Sequence, residues 1–349
     1  MQFAQASIKC ETDFSLSHVS FPVMNHRKFN HTDFSCAEIG LGCWQLGGGD
    51  WGEVSDEQAF DILAQAVDLG VNFFDTADVY GGGRSETLIG RFLKSTPAEV
   101  FVATKLGRLG IYPDKYTEAT VRAATEESLR RLQTEALDLT QLHCIPTEVM
   151  RQGEVFDWLR TLKQEGKIKS FGASVESMEE ALICLEQDGL SSLQIIFNVF
   201  RQKPIAELFA AAKAKSVALI VRLPLASGLL GGKLTKQSGF AAGDHRNYNR
   251  DGQFFNVGET FAGLPFETGV ELADELRQLV PEDMTMAQWA MRWILDYDAV
   301  TVVIPGATKP QQVADNIAVS QLPPLGEEVH RRLQAFYQEK VVPHIRGPY

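Results

Sequence analysis

The chain has no run of about 18 apolar residues, so no membrane-spanning helix is expected. It is poor in cysteine. Its five (Cys10, Cys36, Cys43, Cys144 and Cys184) are scattered, odd in number and form no C-x-x-C pair. That speaks against a disulfide scaffold or a zinc site and fits a reduced, cytoplasmic setting. Positive charge is also scarce: the net charge is −12 at pH 7. Nucleic acid and anionic membrane both favour basic surfaces, so neither is expected as a partner. A small anionic ligand stays compatible, because a local pocket can be basic on an acidic protein. The segment Met1–His26 lacks a basic stretch followed by an apolar one and does not read as a secretory signal. No paired His/carboxylate set stands at ligand spacing, so no metal site is expected and a metal-dependent barrel isomerase ranks low.

What is present is ordinary globular material, 44% hydrophobic and 22% charged over 349 residues. Eight short, mostly continuous apolar runs read as strands: Glu38–Leu41, Val71–Phe74, Val100–Ala103, Leu137–Leu142, Ile168–Phe171, Leu193–Phe197, Val217–Val221 and Val300–Val303. Helical patterns separate them. In Asp56–Leu69, Ala59, Leu63, Ala66 and Val67 recur at helical spacing. Thr117 is placed to cap Glu118–Leu132, and Gly166 to stop a helix near Phe156–Glu165. Eight strand–helix units predict an α/β fold, a closed parallel (β/α)8 TIM barrel, with the open sheet as runner-up.

The expected organisation is an extension over 1–26, one barrel domain over 27–340 and a tail over 341–349. A hairpin, Arg27–Asn30 with Asp33–Cys36 around His31–Thr32, is expected to plug the barrel floor. The aperiodic stretch Gly231–Leu264 is expected to be a covering or binding loop, since long unstructured inserts in compact domains are usually functional.

Chemistry concentrates where strands end. Phe73-Phe74-Asp75 runs out of a buried strand into an acid, then through Tyr80-Gly81-Gly82-Gly83 to a helix starting near Ser85. Lys105 follows one strand and His143 another. An acid, a phenol, an ammonium and an imidazole thus converge on the rim where barrel enzymes keep their active sites. A free phenol has a pKa of about 10, and a neighbouring ammonium is expected to lower it. Asp75 is expected to hold Lys105 by an ion pair, and His143 to hydrogen-bond a substrate oxygen. A phenol so placed suits proton donation to an oxygen becoming an alkoxide, as hydride transfer to a carbonyl requires.

With these residues in view, the chain from about Arg27 to Asn316 resembles the aldo-keto reductase family. The motifs that carry the likeness are Ile39-Gly40-Leu41-Gly42-Cys43-Trp44, Asp75-Thr76-Ala77 through Tyr80-Gly81, Ser85-Glu86, and Glu165-Gly166-Lys167-Ile168 leading to Gly172-Ala173-Ser174. The resemblance implies NADP(H) bound in extended form without a Rossmann domain, and reduction of an aldehyde or ketone, a sugar aldehyde among the options, or the reverse oxidation. It assigns Asp75, Tyr80, Lys105 and His143 to the catalytic tetrad, and Ser174 and Gln194 to the nicotinamide carboxamide. Arg222, Pro224, Leu225, Ser227 and Leu230 fall to the nicotinamide and pyrophosphate segment. Gly306, Thr308, Gln312 and Asn316 fall to the adenosine end, where backbone amides opening the last helix suit a phosphate. Lys233 is placed at the pyrophosphate and Trp44 in the pocket, where it counts with the cofactor-binding set.

The sequence departs from the family pattern at Val175, often Asn, at Arg222, often an aromatic, and at Thr308 and Ala314, often Arg. Arg222 is shared with a bacterial subgroup, and a guanidinium plane can also stack. Lys309 can partly compensate for the missing Arg residues, so NADP(H) is favoured with NAD(H) as second choice. The rival reading is a cofactor-binding regulatory protein, similar to channel-associated β subunits, with little turnover.

Overall fold

Among the described residues, 24–29 and 32–349 of this computed structural model, ten strands form two sheets. The pair β1 (His26–Lys28) and β2 (Ser35–Ala37) is antiparallel, with Arg27 opposite Cys36. The other eight are parallel and adjacent in chain order: β3 (Leu41–Gly42), β4 (Phe73–Asp75), β5 (Phe101–Leu106), β6 (Leu139–His143), β7 (Phe171–Ser174), β8 (Leu190–Ile196), β9 (Ala218–Arg222) and β10 (Val300–Val303). Parallel bridges Ile39–Val303 and Gly42–Gly306 join the first strand to the last and close the barrel. The expected hairpin and fold are both found. Residues 1–23, most of the proposed extension, and His31 of the proposed turn lie outside the described residues.

Side chains alternate along a strand, and that period of two builds the site. Phe73, Ala103, Leu139, Ala218, Ile220 and Val302 fill the lower barrel with Phe29 and Cys36 from the hairpin. Phe29 is fully buried, with its ring 5.9 Å from that of Phe73 and 5.2 Å from that of Phe101, so the hairpin does plug the floor. Two residues further along the same inward rows come Asp75, Lys105, Gln141 and Arg222. The apolar floor and the polar mouth are thus successive layers of one pattern. The alternate residues, Phe74, Val102, Leu142 and Val221 among them, pack in the larger core formed with the helices.

Helix signals in the sequence work locally as their chemistry dictates. Ser55 and Gln58 form a reciprocal capping box opening the helix Asp56–Asp68, and Ala59, Ile62, Leu63 and Ala66 are its buried residues. Thr117 caps Glu118–Leu132 by accepting from the Thr120 amide. The helix Glu154–Gln164 is followed by Gly166 at φ +76°.

Two expectations need correction. Several strands end later than the apolar runs suggest: Asp75, Lys105 and His143 are ladder residues rather than residues beyond the strand. Backbone pairing does not depend on side-chain polarity, so a charged strand end escapes a reading based on apolar runs. The stretch 231–264 is also not featureless. It holds short helical turns at His245–Tyr248, Val257–Glu259 and Phe261–Gly263. Asp244 caps the first through the Arg246 amide and Asn256 the second through that of Gly258. Single capped turns are too short to leave a hydrophobic period.

Candidate active site

Lys105 is fully buried, and its ammonium is the hub of the barrel mouth. It donates to Asp75 Oδ1 at 2.5 Å, the Thr76 carbonyl at 2.9 Å and Tyr80 Oη at 3.1 Å. The other Asp75 oxygen accepts from Gln194 at 2.6 Å and Gln141 at 3.3 Å. A buried ion pair is tolerable only when such extra hydrogen bonds satisfy its remaining atoms. Burial opposes the Lys105 charge, but Asp75 and then Tyr80 outweigh it and push its pKa up to about 12.

Tyr80 does not behave as the sequence reading expects. Lys105 does favour the phenolate, yet burial is the larger effect and pushes the phenol up to about 12. The group is therefore held protonated throughout the neutral range. His143 stands edge-on to the Tyr80 ring, with centroids 5.8 Å apart. Burial first, then the cations of Arg108, Lys105 and Arg222, hold it well below its usual pKa. It is a neutral imidazole, and its Nδ1 has no hydrogen-bond partner among the described residues.

The loop bearing Tyr80 is fixed from below. Ser85 Oγ accepts from Thr76 Oγ1 and donates to the Cys43 carbonyl, each at 2.8 Å. Glu86 accepts from Thr104 Oγ1 at 2.5 Å and pairs with Arg131 at 2.6 Å. Gly81 adopts φ +60°, and a Cβ there would meet the Gly47 carbonyl oxygen at 2.2 Å, so only glycine fits.

A cavity of about 340 Å³ runs from these residues along the rim. Its wall includes Trp44, Asp75, Tyr80, His143 and Gln194 together with Gly306, Thr308 and Gln312. Arg222, Pro224, Leu225 and Ser227 also line it, as the sequence reading placed them. Five assigned residues are not among its lining: Lys105, which lies buried behind Tyr80, and Ser174, Leu230, Lys233 and Asn316. Ser174 is buried, with Oγ 3.5 Å from Gln194 Oε1. Leu230 packs in the main core, Lys233 is exposed and Asn316 is half-buried.

Other assigned residues already have partners. Gln194 points its amide nitrogen at Asp75. Arg222 pairs with Glu259 at 3.2 Å and donates to the Val175 carbonyl at 3.0 Å, leaving its Nε unpartnered. Gln312 Oε1 accepts from the backbone amides of Thr308 at 2.7 Å and Lys309 at 3.2 Å. The amides read as open to a phosphate are therefore capped by a side chain.

A second cavity, of about 560 Å³, shares Trp44, Tyr80, His143 and Glu259 with the first. Asp50, Val79, Arg108, Tyr248, Phe254 and Phe255 complete it. Trp44 stacks on Tyr80 at 5.7 Å and 17°. Arg108 is paired with Glu176 at 3.0 Å. Burial and the neighbouring Glu259 push Glu176 up to about 7, whereas Arg222 and Arg108 overcome burial and keep Glu259 below the usual carboxylate range. Sequence reasoning missed these groups. Arg108 stands three residues past Lys105 and Glu176 two past Ser174, so extending the strand-end rule would have found both. Asp50 and Phe255 lie on loops, Tyr248 and Glu259 end single short helical turns, and none of the four carries a periodic signal.

A family model described as "Aldo/keto reductase family" matches residues 38–338. "Aldo-keto reductase YhdN" of Bacillus subtilis is 28% identical, over 83% of this chain and 87% of that protein. "NADH-specific methylglyoxal reductase" of Escherichia coli is 28% identical, over 82% of this chain and 90% of that protein. Among solved structures, the glycerol dehydrogenase of Gluconobacter oxydans has a TM-score of 0.76 at 29% identity, covering 93% of this chain and 98% of its own. No described helix is long and apolar enough to cross a membrane.

Proposed function

The chain belongs to the aldo/keto reductase family, and on that premise we propose that it reduces the carbonyl of an aldehyde or ketone with a nicotinamide cofactor, Tyr80 giving the proton. The observation that carries the reading is the Lys105 ammonium set between Asp75 at 2.5 Å and Tyr80 Oη at 3.1 Å, with Tyr80 itself in the walls of both cavities.

The first cavity fits an elongated cofactor. It has the unpartnered Arg222 Nε in its wall and is lined by Thr308 and Gln312, where the Thr308 and Lys309 amides are capped. When bound, the reduced nicotinamide supplies a hydride. Gln194, Arg222, Leu225 and Ser227 are the residues proposed to hold that end, and Gly306, Thr308 and Gln312 the adenosine end. NADP(H) is the proposed form, with Thr308 and Lys309 as donors to a 2′-phosphate. NAD(H) is the second reading, because Gln312 already occupies the amides such a phosphate would use.

The chain's own residues divide the remaining work. The neutral His143 offers a hydrogen bond to the carbonyl oxygen without competing as an acid. As negative charge grows on that oxygen, Tyr80 delivers its proton. Lys105 stabilises the phenolate left behind at a distance already set in the fold. Asp75 keeps Lys105 charged and in place. The second cavity, with Trp44, Tyr248, Phe254 and Phe255 in its wall, is the proposed seat of the substrate body. Following NADPH and NADH oxidation at 340 nm against a panel of small aldehydes and ketones tests the reading. Turnover that disappears in Tyr80→Phe with cofactor binding kept is the expected result. Tight binding without turnover by the unaltered enzyme would favour the regulatory reading instead.

A further inference from the structure

Between Gly47 and Gly52 the chain reverses sharply, with Gly48, Gly49 and Gly52 at φ +74°, +70° and +91°. The reversal brings Asp50 back over Trp44, six residues before it. Asp50 Oδ2 accepts from Trp44 Nε1 at 2.9 Å. Its Oδ1 accepts from Tyr248 Oη at 2.7 Å. Its carbonyl accepts from the His245 amide at 3.0 Å and lies 3.1 Å from His245 Nδ1. One residue thus grips an indole on the barrel rim and two residues of the covering loop. The rings follow suit: His245 is fully buried and lies 4.9 Å from Trp44 and 4.4 Å from Trp51.

We propose that Asp50 is a positioning residue that holds Trp44 flat against Tyr80 and makes that pose depend on closure of the loop over 231–264. The proposal rests on the reading of Tyr80 as proton donor. Trp44 stacks on Tyr80 and belongs to the walls of both cavities, so its orientation shapes the cofactor and carbonyl seats together. Without that acceptor the indole loses its hydrogen bond to Asp50, and only ring contacts with Tyr80, Trp51, His245 and Phe255 hold its tilt. With the acceptor in place, opening the loop removes Tyr248 from the other oxygen of the same carboxylate. The two events are therefore coupled through one side chain. Asp50 itself touches none of the tetrad, which separates positioning from proton transfer.

The test compares Asp50→Ala, Asp50→Asn, Tyr248→Phe and the pair Asp50→Ala/Tyr248→Phe. NADPH dissociation is followed by stopped-flow fluorescence, and kcat and KM are measured with benzaldehyde. Asp50→Ala is expected to speed NADPH release about tenfold and to raise the aldehyde KM several-fold, in the manner of a loosened lid. Asp50→Asn keeps one acceptor oxygen and should recover part of both effects. Tyr248→Phe should speed release less, and adding it to Asp50→Ala should change release no further, because both remove the same hydrogen bond. Release and KM within twofold of the unaltered enzyme in Asp50→Ala would overturn the proposal, as would full additivity in the pair. If Asp50→Ala does not fold, Tyr248→Phe carries the test, and unchanged release overturns it. An unaltered enzyme that binds NADPH yet reduces no aldehyde would defeat the functional reading alone, since the release rates remain measurable.

Discussion

The tetrad and the covering loop meet at the same cavity but are held there by different means. Asp75, Lys105 and His143 are strand residues, fixed by ladder hydrogen bonds that any side chain would allow. Residues 231–264 are fixed to the rest of the molecule by hydrogen bonds and ion pairs at a few points and, at their far end, by the buried Phe261, Ala262 and Leu264. Asp50 grips His245 and Tyr248, Arg222 grips Glu259, and Arg346 reaches Asp251 at 2.6 Å and the Gly263 and Leu264 carbonyls. The first arrangement suits chemistry that needs fixed distances. The second suits a segment that has to release and re-form, because each anchor can be lost without unfolding the barrel.

That contrast can be broken or sharpened by substitution. The largest effect is expected at Tyr80→Phe, which should lower carbonyl reduction by about 10³-fold, the middle of the range for a lost general acid, with NADPH affinity within about twofold. Titration by fluorescence and steady-state rates check it; an equal loss of affinity would place Tyr80 in binding instead. Asp75→Asn comes next. It strands the buried Lys105 charge, so about 3–5 kcal/mol of stability is expected to go along with most activity, read by denaturant unfolding. A loop anchor should behave otherwise: Arg346→Ala should weaken NADPH binding by about tenfold, as expected for loss of about 1.4 kcal/mol, and leave the midpoint of thermal unfolding nearly unchanged. A large fall in that midpoint would show the loop to be part of the rigid frame.

The smallest expected effect is on stability and depends on pH. Asp78 is buried beside the Tyr80 loop, with Oδ1 unpartnered among the described residues. Burial, then repulsion from Glu86, push its carboxyl up to about 7. Its folded pKa lies above the unfolded one, so the folded state binds the proton more tightly. The stability it contributes is present in acid and is lost as pH rises from about 4 through 7. Asp78→Asn should therefore raise the unfolding temperature at pH 8 by a few degrees more than at pH 5. A gain that does not change with pH would show that Asp78 is not the titrating group.

How much of this was legible beforehand follows the same division. The barrel, its floor hairpin and the convergence of Asp75, Tyr80, Lys105 and His143 could be read because each depends on local period and strand order. The covering loop could be located but not described. Its fixed points join Asp50 to Tyr248 and Arg222 to Glu259, pairs far apart in sequence and without a motif. The Tyr80 pKa was misjudged for a related reason. A charged neighbour is visible in a sequence, whereas the depth of burial that outweighs it is not. The order of strands carried Arg108 and Glu176 within reach, and stopping at the last apolar residue of each strand left them out.

The Gln312 side chain, seated on the amides of Thr308 and Lys309, has a consequence for cofactor choice. These amides are satisfied before any nucleotide arrives, so a phosphate approaching them competes with a resident of the same helix rather than with water. The glutamine acts as a tethered rival whose effective concentration never changes. If the proposed adenosine end is right, it would lower the affinity of a phosphate-bearing nucleotide by the fraction of time it stays in place, while a nucleotide without that group would meet no opposition there. Discrimination at this end of the cavity would then be set as much by how readily one uncharged side chain swings aside as by any cation that reaches for the phosphate.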